Sequence, residues 1–292
     1  MCDEFTVSAE EAALERRGLD RRQFAALSAA GLALAGCSGS AVKASGGSDV
    51  SEKMVSITTA DGVCDAFFVH PAKGTHPGVV MWPDIAGLRD AFKIMARGLA
   101  AEGYAVLVVN QYYRSAPAPV MQSFSEYRTA EGPEKIRPMR ELLDPAAITR
   151  DAQAFVAFLD QQGEVDTARG IGSNGYCMGG PFTVRAAAAV PARVKAAASF
   201  HGAGLVTGMP DSPDQLLAKT QASFLFAIAR NDDERQPEQK TMLRKAADAA
   251  GRPAEIEVYP ADHGWCVADS PAYDPNAADK AWKRMLALYA KL

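Results

Sequence analysis

The chain has 292 residues, 48% hydrophobic and 23% charged, the balance of a folded globular protein and not of a disordered or fibrous one. Its 31 Lys and Arg against 35 Asp and Glu leave a net charge of −4, without the basic surplus that holds a phosphate backbone, which argues against a nucleic-acid partner. Five widely spaced cysteines exclude a disulfide-dense scaffold and a paired zinc spacing, and no apolar run reaches the roughly 18 residues of a membrane-spanning helix.

The first segment reads as an address. Asp20-Arg21-Arg22-Gln23-Phe24 precedes an uncharged run of small and apolar residues, Ala25 to Ala35, which has the length of a signal-peptide core. It resembles a twin-arginine export signal. The run closes on Leu34-Ala35-Gly36-Cys37, which resembles a bacterial lipobox, where the cysteine thiol is acylated and becomes the first mature residue. The expectation is an exported protein of the periplasm or cell envelope, lipid-anchored at Cys37, with residues 1–37 as signal. Residues 38–50, rich in Ser, Gly and Ala, read as a flexible tether, which leaves 51–292 as one domain.

In that domain strands alternate with helices. Val55 to Thr59 and Cys64 to Val69 flank Asp61-Gly62 and predict a hairpin. Gly78 to Trp82 and Tyr104 to Val109 are continuous apolar runs, as in strands buried on both faces, and Asp90 to Ala101 between them has helical spacing. Residues 111–140, with four prolines, read as an irregular excursion. Further on, helices are predicted over Pro145–Gln161, Met178–Val190, Pro237–Ala250 and Asn276–Ala290, and strands over Gly170–Asn174, Lys195–Phe200, Ser223–Ile228 and Glu255–Tyr259. This order predicts an α/β fold, a mostly parallel twisted sheet with helices on both faces.

The sharpest local signal is Gly175-Tyr176-Cys177-Met178-Gly179-Gly180, between a predicted strand and a predicted helix. Small residues two before and two after Cys177 let strand and helix meet at a tight turn that exposes the side chain between them. The helix start offers unpaired N–H groups that favour an anion, and the N–H of Met178 points to where an oxyanion would develop. A nucleophile of this kind needs an acid and then a histidine, in that order along the chain. Asp232 follows the strand 223–228 and His263 follows the strand 255–259. Asp233 is one residue further out, and Asp262 is expected to be solvated. Of the other histidines, His70 and His76 are expected to be solvated and His201 follows the strand 195–200.

These residues, in this order, resemble the dienelactone hydrolase (carboxymethylenebutenolidase) family, from about Val55 to the C-terminus. The resemblance implies an α/β-hydrolase fold, a Cys177-Asp232-His263 triad without metal or cofactor, and an oxyanion hole from the backbone N–H groups of Ile85 and Met178. It also places Asp84 where the family carries a Glu that modulates the nucleophile, one methylene longer. The lactone-specific members bind the substrate carboxylate through Arg residues, one of them four positions past the histidine; here that position is Val267, with Arg137 or Arg140 as candidate substitutes. Tyr112, Tyr113, His201 and Trp265, beside predicted strand ends, are candidates for the substrate pocket.

The function expected is hydrolysis of a small-molecule ester or lactone through a thioester acyl-enzyme. Two rivals stay open at this point: a thiol redox or sensor lipoprotein using Cys64, Cys177 and Cys266, and a non-catalytic binding lipoprotein. Nothing in the sequence sets an oligomeric state.

Overall fold

A computed structural model describes residues 49–292, so the expected export signal, the acylation site at Cys37 and nearly all of the tether lie outside the described residues. The last tether residue, Val50, already opens the first strand, and the carbonyl of Asp49 accepts the N–H of Ala72 at 2.8 Å.

Eight strands form one sheet in the order β1-β2-β4-β3-β5-β6-β7-β8: β1 Val50–Thr59, β2 Gly62–Pro71, β3 Gly78–Trp82, β4 Ala105–Val109, β5 Ile171–Tyr176, β6 Val194–Phe200, β7 Ser223–Ala229 and β8 Ala254–Tyr259. The hairpin β1–β2 is antiparallel and joins β4 antiparallel; every other pairing is parallel. Period-two alternation sorts the central strands between two cores. Val80, Trp82, Leu107 and Val109 face one, and Val79, Met81, Val106 and Val108 face the other. Helices α1 (Asp90–Ala101) and α9 (Pro275–Tyr289) cover the second face through Phe92, Leu99, Ala281 and Met285. Helices α4 (Pro145–Asp160), α5 (Gly180–Ala189) and α8 (Gln239–Ala250) cover the first through Phe155, Val184 and Leu243. The mostly parallel sheet with helices on both faces is the α/β-hydrolase-type arrangement expected.

Local chemistry sets the helix ends. Asp144 caps α4 by accepting the N–H of Ala147 at 2.7 Å, with Pro145 in the first turn, where its missing N–H costs nothing. Asp274 caps α9 in the same way.

Two further expectations are corrected. The excursion 111–140 is not irregular throughout: it holds α2 (Phe124–Tyr127) and α3 (Glu131–Glu141). Pro133 falls in the first turn of α3, but Pro138 lies inside it, which is why proline count misled. The helix predicted from Met178 is a short 3-10 turn, Cys177–Gly179, followed by α5. The acid-bearing segment after β7 is a helix, α7 (Arg230–Arg235), and another short helix, α6 (Pro213–Leu216), precedes β7.

The strand order reverses between β3 and β5, and at such a point the loops leave the carboxyl ends of neighbouring strands on opposite faces and open a crevice. The segments that follow β3, β5, β6, β7 and β8 carry Ile85, Cys177, His201, Asp232 and His263.

Candidate active site

Cys177 stands at the end of β5 with φ 53°, in the left-handed region that non-glycine residues seldom adopt. Two glycines make the turn sterically feasible. A Cβ on Gly175 would lie 2.1 Å from the carbonyl oxygen of Gly179, and one on Gly179 would lie 2.4 Å from that of Trp82. The strand, the helix start and the neighbouring strand therefore meet backbone against backbone under the thiol. The N–H of Met178 falls in the first turn of the 3-10 helix, where N–H groups have no partner within the helix. The N–H of Ile85 has no acceptor among the described residues. The Tyr112 hydroxyl touches both residues: it donates to the carbonyl of Ile85 at 2.8 Å and lies 3.8 Å from Sδ of Met178.

His263 follows β8 and is nearly buried. Its Nδ1 lies 2.6 Å from Oδ2 of Asp232, and its backbone N–H donates to Oδ1 of Asn231 at 2.9 Å. Successive residues at the start of α7 thus hold the ring and the main chain of the same histidine. Burial opposes a charge on this imidazole, but the Asp232 carboxylate and the neighbouring Cys177 side chain outweigh it and hold its pKa well above the usual value. The other ring nitrogen, Nε2, is buried on the Cys177 side, short of an aligned hydrogen bond.

His201 is also buried, and behaves oppositely. Burial and the neighbouring His263 push its pKa well below the usual value. The two rings meet edge to face at 5.0 Å between centroids, and the His201 ring also meets Trp265 at 5.7 Å. Trp265 is fully buried and stacks on Tyr259 at 4.6 Å, so it braces the site from behind.

Several expected placements are corrected. Asp84 does not address the thiol. Both of its oxygens are taken by Arg89, at 2.7 and 2.9 Å, and Oδ1 also accepts the N–H of Ala86, so it anchors the loop of Ile85. Burial pushes its pKa up, with Arg89 pulling the other way. Tyr113 turns to the hairpin tip, where its hydroxyl meets Thr59 at 2.7 Å and Asp151 at 2.8 Å, and it does not enter the site. Asp262 is buried and paired with Arg230 at 2.8 Å, not solvated. His70 is buried with Nδ1 2.8 Å from the carbonyl of Pro71, and His76 is held between the carbonyls of Lys73 and Gly103.

Val267 is buried in the apolar core, so that position offers no cation to a substrate. Arg137 is exposed and pairs with Glu134, whereas Arg140 lies close enough to Tyr112 for its charge to act on the phenol. Cys64, Cys177 and Cys266 are all free thiols, and burial raises the pKa of both Cys64 and Cys266. No group of three His, Cys, Asp or Glu side chains among the described residues forms a metal site.

Sequence reasoning missed Asn231, Arg89 and Asp269. Arg89 also binds Asp269 through two bonds of 2.7 Å and sits between the rings of Phe92 and Phe124. Asp269 in turn accepts the N–H of Phe124 at 3.0 Å. The signal available was an arginine five residues after Asp84 with no charge between the two; its second partner, 180 positions away, was not legible.

Residues 64–292 match the profile of the dienelactone hydrolase family. A carboxymethylenebutenolidase homologue of Methylorubrum extorquens is 30% identical over 236 residues, covering 79% of this chain and 78% of the relative. One from Synechocystis is 29% identical, covering 82% and 97%. Among solved structures, a dienelactone hydrolase-type protein of Klebsiella pneumoniae superposes with a TM-score of 0.73 at 25% identity, over 84% of this chain and all of the other. A dienelactone hydrolase-like promiscuous phosphotriesterase from metagenomic libraries superposes with a TM-score of 0.66 at 26% identity, over 83% of this chain and 98% of the other.

Proposed function

The chain belongs to the dienelactone hydrolase family, and from that premise we propose that it hydrolyses small carboxylic esters and lactones with Cys177 as nucleophile, His263 as proton carrier and Asp232 as the group that orients it. The observation that carries the reading is the 2.6 Å bond between His263 and Asp232, formed beside a cysteine held at positive φ.

The raised pKa of His263 suits it to take the thiol proton as sulfur attacks the substrate carbonyl. The negative charge that develops on the carbonyl oxygen is received by the N–H groups of Ile85 and Met178; a donor so placed is worth roughly 10²–10³ in rate. Collapse of the intermediate breaks the C–O bond, and His263 returns its proton to the leaving alkoxide. Water then attacks the thioester with His263 as base, which releases the acid and restores the thiol. In a lactone the alkoxide stays tethered to the acyl group, so the same steps open the ring. With Val267 in place of a carboxylate-binding arginine, uncharged esters and lactones are the substrate class the site suits.

The test is a panel of aryl esters and small lactones given to the wild type and to Cys177→Ala. The wild type turns over several members and forms an acyl adduct on Cys177 visible by mass spectrometry. Loss of the nucleophile lowers kcat by about 10⁴–10⁶-fold. Undiminished turnover by the variant, or no turnover by the wild type, overturns the reading.

A further inference from the structure

Among the described residues only two non-glycine residues have positive φ, Cys177 at 53° and His201 at 40°. They face each other. In the parallel ladder of β5 and β6 the last paired residues are Tyr176 and Phe200, so Cys177 and His201 are the next pair, where the regular ladder stops. There the imidazole takes over from the backbone: the N–H of Cys177 donates to Nδ1 of His201 at 3.2 Å. The carbonyl of Cys177 accepts the N–H of Ala203 at 3.4 Å. The loop after β6 therefore holds both polar groups of the nucleophile's backbone. His201 is held in its own turn, its N–H donating to the carbonyl of Ala227 on β7 at 2.8 Å.

We propose that His201 is a positioning residue for the nucleophile: its Nδ1, as acceptor for the Cys177 N–H, stabilises the strained elbow and sets where the sulfur stands. The inference rests on the reading of Cys177 as nucleophile. An acceptor Nδ1 cannot carry the proton, so the neutral ring carries it on Nε2, which is buried without a partner among the described residues. Two touching imidazoles thus divide the work: His263 exchanges protons, while His201 stays neutral and holds the backbone. A ring that only lined the pocket would not need its acceptor nitrogen.

The substitutions that separate these roles are His201→Asn and His201→Phe. The Asn side chain sets an oxygen near the place of Nδ1 and tolerates left-handed φ; Phe keeps a ring and removes the acceptor. The measurements are the rate of Cys177 carbamidomethylation by iodoacetamide, read on its peptide, and kcat and KM on an ester from the panel. We expect His201→Asn to stay within about threefold of wild type, and His201→Phe to lose about tenfold in both alkylation rate and kcat, at little-changed KM, the worth of one buried hydrogen bond. A change confined to KM overturns the proposal, as does an Asn variant that loses as much as Phe. If His201→Phe does not fold, the Asn variant decides alone: near wild-type rates support the proposal and a tenfold loss overturns it. Alkylation reads the elbow without ester turnover, so a protein that hydrolyses nothing on the panel would sink the proposed function and still test His201.

Discussion

Two regions of the sheet place an arginine between two carboxylates, and they are built differently. At the tip of the β1–β2 hairpin, Arg114 binds Asp151 through two bonds of 2.7 and 2.8 Å and also reaches Asp61, which Arg150 approaches from the solvent side at 2.7 Å. The Tyr113 ring lies 4.6 Å from the Arg114 guanidinium, and backbone conformation there is ordinary apart from a glycine in the turn. At the carboxyl ends of the parallel strands, Arg89 is wholly buried between Asp84 and Asp269. The same carboxyl ends carry both strained non-glycine residues and, among the described residues, buried ring nitrogens without partners on His201 and Trp265. The hairpin tip is a network satisfied on its own. The strand ends hold strain and unspent hydrogen-bonding capacity, which a fold keeps only where surrounding structure enforces it and chemistry uses it.

Three substitutions sharpen or break that contrast. The largest effect is expected from Asp232→Asn, which leaves the shape of the strand ends and removes the charge beside His263. Loss of the corresponding carboxylate in a triad lowers kcat by about 10⁴-fold, and a stopped assay on the preferred ester reads it. The sign of the pH effect follows from His263. Its pKa is raised in the folded protein, so its contribution to stability is complete below the unfolded value near 6.5 and is lost as pH rises through the folded value. In the variant the folded pKa falls. His263 must be neutral to take the thiol proton, so the acidic limb of kcat/KM moves to lower pH, and the gap in melting temperature between the two proteins narrows as pH rises. An acidic limb that stays in place would detach Asp232 from His263.

Arg89→Gln comes next. It leaves Asp84 and Asp269 buried with their counter-charge gone, a loss of about 3–5 kcal/mol in a urea titration. The loop of Ile85, the loop of Asp269 and the start of α2 are tied to the same guanidinium, so kcat falls too. A variant of wild-type stability would show that the buried trio is not what holds these loops. Arg150→Ala is the smallest change. Its pair with Asp61 is exposed to water and salt, and Arg114 keeps its own bonds to Asp61 and Asp151, so neither activity nor melting temperature moves. A loss of activity there would break the contrast between the two regions.

Elements whose cause is local were legible in the chain. Helix α1 and strand β3 fall at the expected residues because helical spacing and a continuous apolar run are properties of the segments themselves. The turn at Gly175 and Gly179 was legible for the same reason: the clash that a Cβ would meet lies within a few residues or on the adjacent strand. Helix α3 was not, because prolines argue against a helix unless their positions within it are known. Asp84 was misread because its partner is chosen by space: a family likeness suggested the thiol, and a buried guanidinium took the carboxylate.

By itself, the order of residues determined a strand-helix alternation, a cysteine at a glycine-flanked turn, and an acid and a histidine each following a strand. Only the tertiary structure decided which ring nitrogen meets Asp232, that His201 binds the backbone of Cys177, and that Arg89 joins loops 180 positions apart. The reason is one of range. Propensity and steric clash act over a few residues and leave their mark in the sequence, whereas a hydrogen bond between distant segments exists only once hydrophobic burial has brought their strand ends to one edge of the sheet.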